Sequence, residues 1–215
     1  MNIKDHSQYG EQKYILAHFG ERTGNFLSLG ENDGQTLSMV RALALLGWGG
    51  VCVEPAPIPF NKLEALYANS MAVNVVNTAI CGHDGEIDFW DSGPHLGNGD
   101  TSLLATTVLS EVVKWKGKAA FRKTTCTAMT FNSLITLCQN NGWPTKFDFI
   151  SIDCEGQDWY ILQQMDLRKL GCELLCIEGN LHTSPENADR YIGFMDTQGM
   201  RLKIRNNVNM LFERV

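Results

Sequence analysis

Short apolar runs recur along the chain and are separated by segments in which apolar residues fall at helical spacing. The runs predict five buried strands, at residues 25–29, 50–53, 73–76, 147–152 and 174–177. Helical periodicity between and after them predicts helices at residues 35–46, 60–67, 131–138, 160–167 and 188–195. Strands that alternate with helices imply an α/β fold built on a mostly parallel, doubly wound sheet.

Further strand-like runs lie outside this alternation. Residues 200–204 and 208–212 are joined by Arg205-Asn206-Asn207 and predict a C-terminal hairpin that adds an antiparallel edge element. Residues 85–90 predict a half-exposed strand, and residues 124–128 an edge strand. We therefore expect a single domain over residues 1–215, with an N-terminal helical cap segment at residues 1–24.

Composition and charge narrow the class of protein. The chain has 215 residues, is 44% hydrophobic and 20% charged, and carries a net charge of -6, so we expect a globular domain with no nucleic acid partner. No apolar run is long enough to span a bilayer, and the seven cysteines fit a reduced compartment. Cys172 and Cys176 read as part of a buried strand rather than a zinc knuckle. These features predict a cytoplasmic protein with no membrane partner.

Ligands of doubly wound sheets bind beyond the carboxyl ends of the strands. Gly30 and Gly34 follow the first predicted strand, and Glu54 ends the second strand 24 positions after Gly30. Glycines let the backbone approach a ligand closely, and an acid at the second position accepts hydrogen bonds from ribose hydroxyls. A tight turn and a solvated acid are the structural alternatives, and a nicotinamide-dependent oxidoreductase would use the same features. The third glycine of the dinucleotide fingerprint is absent.

Three segments together resemble the signatures of the FkbM family of S-adenosylmethionine-dependent methyltransferases. They are FLSLGENDG at residues 26–34, GWGGVCVEP at 47–55 and SIDCEG at 151–156. The element SQYGEQ at residues 7–12 and the run NVNMLF at 207–212 extend the resemblance over nearly the whole chain. It implies a Rossmann-like class I methyltransferase fold, S-adenosyl-L-methionine as cofactor, and methylation of a hydroxyl group on a sugar, glycan or natural product.

The chain departs from the family pattern at three positions. Ser28 stands where the family usually has an aspartate, and Glu31 where it has an alanine, so the acid near the methionine end of the cofactor is displaced. The last acid of the third signature is Asp158, which is shorter than the usual glutamate. These departures keep open a non-catalytic module that binds the cofactor or a partner.

The resemblance assigns cofactor contacts residue by residue. It implies that the glycine turn lines the methionine part, that Glu54 holds the ribose, and that the end of the third strand flanks adenine. The full set of predicted cofactor-binding residues is Gln8, Gly30, Glu31, Asn32, Gly34, Glu54, Pro55, Ala79, Ile80 and Asp153.

Methyl transfer to a hydroxyl group needs a base, because the acceptor must lose its proton. Asp153, Glu155 and His182 are the predicted catalytic residues, with Glu178 as a further strand-end acid. The alternative is that Asp153, Glu178 and His182 hold a divalent metal, although we expect none. Residues 91–118 open with a stretch rich in Gly, Asn and Pro and are predicted to form an acceptor-side insertion or lid.

Overall fold

The computed structural model describes residues 3–94, 101–179 and 186–215. Within them, the strands are β1 (Asn25–Leu29), β2 (Gly49–Val53), β3 (Val73–Val76), β4 (Ala79–Ile80), β5 (Gly85–Ser92), β6 (Phe121–Met129), β7 (Phe149–Ile152), β8 (Leu174–Glu178), β9 (Met200–Arg205) and β10 (Asn209–Arg214). The helices are α1 (Gln12–Phe19), α2 (Arg41–Leu45), α3 (Pro57–Tyr67), α4 (Leu109–Lys114), α5 (Phe131–Asn140), α6 (Asp158–Leu162) and α7 (Asn187–Thr197).

The central sheet has seven strands in the order β3-β2-β1-β7-β8-β10-β9. The first five are parallel, which confirms the five predicted strands and the mostly parallel sheet. The C-terminal hairpin is also confirmed, because β10 pairs antiparallel with both β8 and β9. The sequence predicted that the antiparallel strand of this hairpin would lie at the edge of the sheet, and it does not. β10 lies between β8 and β9, and β9 forms the edge.

Apolar side chains cover both faces of the central sheet. On one face, Phe26 and Phe149 pack with side chains of α1, α2 and α3, such as Leu43. On the other face, Leu27 and Ile150 pack with side chains of α5, α6 and α7. Successive strand residues point to opposite faces, so each central strand contributes to both layers. This is the doubly wound arrangement, and it leaves the strand ends free to form a site.

A second sheet of three strands, in the order β4-β6-β5, adjoins the first. β5 pairs antiparallel with β6 along its whole length, and β4 pairs parallel with β6 through Ala79 and Ile80. Residues 124–128 were predicted as an edge strand, and this is wrong. They lie in the middle strand of the second sheet, because β4, only two residues long, supplies a partner on the other side.

Two predicted helices are shorter than expected. Only Arg41–Leu45 of the predicted helix at residues 35–46 is helical, because Leu37 has a left-handed backbone with φ of 59°. Asp33 Oδ1 instead accepts from the backbone N–H of Gln35 and Thr36, and Ser38 Oγ accepts from that of Arg41, where the short helix begins. The helix predicted at residues 160–167 spans Asp158–Leu162.

Other local predictions agree with the structure. The helix at residues 131–138 is confirmed, and Thr130 Oγ1 caps it by accepting from the backbone N–H of Ser133 at 3.1 Å. The helix at residues 188–195 is also confirmed, whereas the Ser184-Pro185 pair that precedes it lies outside the described residues. All seven thiols are free, and both Cys172 and Cys176 are buried.

The N-terminal segment attaches to the C-terminal hairpin through Glu11. Its Oε1 accepts from the side-chain amides of Asn206 and Asn209 at 2.7 and 2.9 Å, and its Oε2 accepts from the backbone N–H of Tyr9. Residues before α1 are thereby held beside the ends of β8 and β10. In the described part of the chain, every helix is too short or too polar to cross a membrane.

Candidate active site

A cavity of about 310 Å³ lies at the carboxyl ends of the parallel strands. Its floor is formed by the residues that follow β1, β2, β7 and β8, where ligands of doubly wound sheets bind. The volume falls at the lower end of the range of ligand pockets. The cavity gathers several of the predicted site residues at one place: Gln8, Gly30, Glu31, Asn32, Glu54, Pro55, Ala79, Ile80, Asp153 and Glu155.

The turn after β1 packs directly on the turn after β7. Gly30 has φ of 80°, and a Cβ at this position would lie 1.7 Å from the carbonyl oxygen of Asp153. Only glycine permits this approach. Gly30, which was expected to let a ligand approach the backbone, therefore also lets the turns after β1 and β7 pack together. Gly34 closes the turn farther from the cavity, where a Cβ would collide with Leu63 and Leu66 of α3.

Glu31 is a buried carboxyl group at the cavity, only 4% exposed. Its two oxygens accept hydrogen bonds from Ser28 Oγ and Ser38 Oγ, both at 2.6 Å. Burial raises its pKa to about 7, although the two serine hydroxyls act in the opposite direction. Glu31 lies on the turn that follows β1, and its carboxyl group is held next to Ser28, where the family usually has an aspartate.

Glu54 ends β2 and is 5% exposed. Its Oε1 accepts from the backbone N–H of Ala56 at 2.7 Å, and its Oε2 accepts from that of Asn32 at 2.9 Å. Burial raises the pKa of Glu54 to about 8 despite these two hydrogen bonds. A carboxylate oxygen can accept more than one hydrogen bond, so Glu54 can still receive hydroxyl groups of a ligand.

Three acids meet at the carboxyl ends of β7 and β8, two of them after β7 and the third as the last residue of β8. Asp153, Glu155 and Glu178 each place a carboxylate oxygen within 4.8 Å of the other two. Burial raises the pKa of Asp153, the charge of Asp158 raises it further, and a hydrogen bond with Glu178 opposes this. Burial also raises the pKa of Glu155 and Glu178 well above the usual range. The group therefore retains protons near neutral pH.

Asp158 holds the turn that carries these acids. Its two carboxylate oxygens accept from the backbone N–H groups of Cys154 and Gly156 at 2.7 and 3.1 Å. The helix α6 begins at Asp158 without a side-chain cap, so neither Asp153 nor Glu155 caps it. Asp153 and Glu155 are left facing the cavity, where Glu155 has a left-handed backbone with φ of 46°.

The remaining predicted residues have different environments. Ala79 and Ile80 are buried in β4 and supply apolar cavity wall. Gln8 also lines the cavity, and its Oε1 accepts from Asn209 Nδ2 at 3.1 Å. His182 lies outside the described residues.

Sequence reasoning missed part of the lining. The residues not foreseen include Ser38, Phe89, Trp115, Gln157 and the segment 102–107. Gln157 directly follows the third signature, so its position offered a signal. Segment 102–107 offered none beyond its place in the predicted insertion, because its contacts join residues far apart in the chain.

A model of the methyltransferase FkbM domain matches residues 28–208 of this chain. The chain belongs to the FkbM methyltransferase family. The matched range covers every predicted site residue except Gln8. No curated protein matches this FkbM domain in sequence.

Solved structures agree with the fold of this FkbM domain at low sequence identity. A provisionally assigned caffeoyl-CoA O-methyltransferase from Staphylococcus aureus superposes with a TM-score of 0.53 and 10% identity, covering 100% of this chain and 86% of that one. A methyltransferase from Geobacter sulfurreducens gives 0.50 and 13%, covering 99% and 80%. The domain has the Rossmann-like class I methyltransferase fold.

Proposed function

We propose that this FkbM domain transfers a methyl group from S-adenosylmethionine to a hydroxyl group of a sugar, glycan or natural-product acceptor. The observation that carries the proposal is the meeting, at one cavity, of a close-packed glycine turn, a strand-end carboxyl group and a group of acids able to take up a proton. The first two features fit an adenosine-containing ligand, and the third fits removal of a hydroxyl proton.

The cavity residues fit the cofactor part by part. Glu54 offers carboxylate oxygens to the two ribose hydroxyls, and Ala79 with Ile80 offers an apolar surface to adenine. Glu31 offers a buried carboxylate to the amino group of the methionine part. When bound, S-adenosylmethionine supplies a methyl group on a sulfonium centre, which needs little covalent help from the protein.

The acids beyond β7 and β8 supply the base. Asp153 is the best placed, because a raised pKa brings a carboxylate closer to the basicity that proton transfer at neutral pH requires. A hydrogen bond between Glu178 and Asp153 favours the ionised form of Asp153 and would fix its orientation. Holding the acceptor hydroxyl between Asp153 and the methyl donor would then supply much of the rate enhancement.

The charge of the cavity bears on the class of acceptor. Its described lining residues include five with a carboxyl group, Glu31, Glu54, Asp153, Glu155 and Glu178, and none that is Lys, Arg or His. A phosphorylated acceptor would find no basic partner among these residues. The lining thus supports a neutral small-molecule or glycan acceptor and disfavours nucleic acid.

Calorimetry and a product assay test this function. We expect S-adenosylhomocysteine to bind and a nicotinamide dinucleotide not to bind. Mass spectrometry should detect S-adenosylhomocysteine formed from S-adenosylmethionine in the presence of neutral sugars, glycosides or polyols, and less with their phosphorylated counterparts. Binding of the nicotinamide cofactor alone would favour the oxidoreductase, and cofactor binding without turnover on any acceptor would favour a binding module.

A further inference from the structure

One wall of the cavity is a segment that connects its two ends. Residues 102–107 line the cavity, and Thr101 precedes them; we call residues 101–107 the cavity wall. The wall is attached to the second sheet, because the backbone groups of Trp90 and Thr106 exchange hydrogen bonds of 2.8 and 3.0 Å. The backbone N–H of Leu104 also donates to Ser92 Oγ at 3.2 Å. Ser102 Oγ also donates to Asp91 Oδ1 at 2.6 Å, so the wall is an ordered element attached to the second sheet at several points.

Asn32 holds Thr101, the first residue of the wall. Its side-chain Nδ2 donates to the carbonyl oxygen of Thr101 at 3.1 Å. The backbone N–H of Asn32 donates to Glu54 Oε2 at 2.9 Å. Asn32 is 8% exposed and has a left-handed backbone with φ of 52°. A single constrained residue therefore contacts both the strand-end acid and the wall.

The second end of the wall is held without any contact to Glu54. Thr106 Oγ1 donates to the carbonyl oxygen of Glu155 at 2.7 Å, and Gln157 Nε2 donates to Thr107 Oγ1 at 3.0 Å. Both partners belong to the turn after β7, which carries the acids. The two ends of the wall are therefore attached to two different parts of the cavity.

We propose that Asn32 is a positioning residue that couples occupancy of the cofactor end of the cavity to the order of the cavity wall. The inference rests on the proposed function, because it assumes that Glu54 receives the ribose. A ligand that fixes the carboxylate of Glu54 also fixes the N–H that donates to it, and the amide of the same residue then holds Thr101. Such coupling acts equally in both directions, so an acceptor that orders the wall tightens the cofactor end.

Hydrogen exchange of the wall amides tests the proposal with S-adenosylhomocysteine as the probe. Asn32→Gly removes only the side-chain bond, since glycine keeps the left-handed backbone and the N–H that Glu54 accepts. Gln157→Ala is the matched control, because it removes one side-chain bond to the other end of the wall and leaves Glu54 and Asn32 unchanged. Each protein is measured without ligand and at saturating S-adenosylhomocysteine, after its own dissociation constant has been determined by calorimetry.

We expect the amides of Leu104, Ala105 and Thr106 to exchange about fivefold faster in ligand-free Asn32→Gly than in the wild type, as for the loss of one hydrogen bond. S-Adenosylhomocysteine should slow these amides in the wild type and in Gln157→Ala, but not in Asn32→Gly. Should Asn32→Gly fail to fold, Asn32→Asp gives the same comparison, because aspartate tolerates the backbone and cannot donate to Thr101.

Each other outcome contradicts a definite part of the inference. Unchanged exchange in ligand-free Asn32→Gly would show that the bond to Thr101 does not hold the wall. Equal protection by S-adenosylhomocysteine in the wild type and Asn32→Gly would show that cofactor occupancy does not reach the wall through Asn32. A wild-type protein that binds no S-adenosylhomocysteine would contradict the proposed function and the coupling together, while the ligand-free comparison would still decide whether Asn32 holds the wall.

Discussion

Ser28 Oγ donates a hydrogen bond of 2.6 Å to the carboxylate of Glu31, so that a serine on β1 orients an acid on the turn that follows. The arrangement places a negative charge at the cavity without an acid on the strand. Of the described basic residues, Arg41 is near enough to lower the pKa of Glu31, but its effect is the smallest of the causes. A cationic group of a ligand is the partner that such a buried carboxylate would favour most.

Replacing Glu31 tests whether it recognises the amino group of the cofactor. We expect Glu31→Gln to weaken binding of S-adenosylmethionine about tenfold, because a charge-assisted hydrogen bond in a buried site is lost. Methylthioadenosine lacks the amino acid part and should lose little affinity. Ser28→Ala is compared at pH 8.5, because it removes one donor to Glu31 and leaves the carboxyl group itself in place. Calorimetry that shows equal losses for both ligands would place Glu31 elsewhere in recognition.

The site could be located from the sequence because its residues follow predictable strands. Glu54 and Asp153 stand directly after apolar runs, and parallel strands bring their carboxyl ends to one edge. Burial of both strands on two faces made those runs recognisable. The positions of these acids could therefore be predicted from periodicity alone, and the resemblance to the FkbM family added the identity of the ligand.

The rest depended on contacts that no local pattern reveals. The apolar spacing predicts a helix that includes Leu37, but Leu37 has a left-handed backbone and the helix does not form there. The pairing of Ala79 with Ala128 joins segments far apart in the chain and puts β6 in the middle of a sheet. The bond from Asn32 to Thr101 spans 69 positions. Each of these features depends on tertiary contacts that local sequence patterns do not reveal.

Glu54 should make cofactor affinity depend on pH. Its pKa is raised to about 8 in the free protein, whereas ribose hydroxyls that donate to it favour the ionised form. Affinity for S-adenosylhomocysteine should therefore rise between pH 6 and pH 8.5. In Glu54→Gln it should be weaker, by a factor of about ten or more at the higher pH, and should change less with pH. Titrations with parallel slopes for the two proteins would argue against this role.

Glu54 and Glu31, the two buried acids with raised pKa values, should make the ligand-free protein less stable at alkaline pH. Because the pKa of Glu54 is about 8 and that of Glu31 about 7, against an ordinary 4.5, the folded state holds protons that the unfolded state has released. The contribution of these two groups to the free energy of unfolding is therefore greatest below about pH 4.5 and falls as pH rises to about 8. We expect a lower Tm at pH 8.5 than at pH 6, by several degrees, since one pKa unit is about 1.4 kcal/mol.

Single substitutions separate this effect from general alkaline instability. Glu54→Gln and Glu31→Gln should each reduce the difference in Tm between pH 6 and pH 8.5, because an amide does not titrate. An exposed acid such as Asp166, whose pKa is lowered by hydrogen bonds with Lys169, serves as the control position. A pH dependence that is the same in all four proteins would exclude the buried acids as its source.

Chelation tests whether the acids beyond β7 and β8 hold a metal. Asp153, Glu155 and Glu178 are close enough to share an ion, but retained protons relieve their repulsion as well. We therefore expect turnover to survive EDTA with less than about a twofold change, against the several kcal/mol that a catalytic metal contributes. Loss of activity with EDTA and its recovery with Mg²⁺ would assign the three acids to a metal instead.

Asp153→Asn should distinguish a base from a cofactor contact. Asparagine keeps the shape and the hydrogen bond with Glu178 but cannot take up a proton. If Asp153 removes the acceptor proton, kcat should fall about a hundredfold or more, while affinity for S-adenosylhomocysteine changes much less. Glu155→Gln and His182→Ala are compared in the same assay, because they are the other predicted bases.

The pH dependence of turnover adds a second readout for Asp153. With a raised pKa, the wild type should lose activity as pH falls through that value, since protonation disables the base. Asp153→Asn should keep only a residual rate without that decline. If Asp153→Asn instead loses binding and rate in equal measure, Asp153 acts on the cofactor. The base would then be whichever of Glu155 and His182 shows the selective loss of kcat.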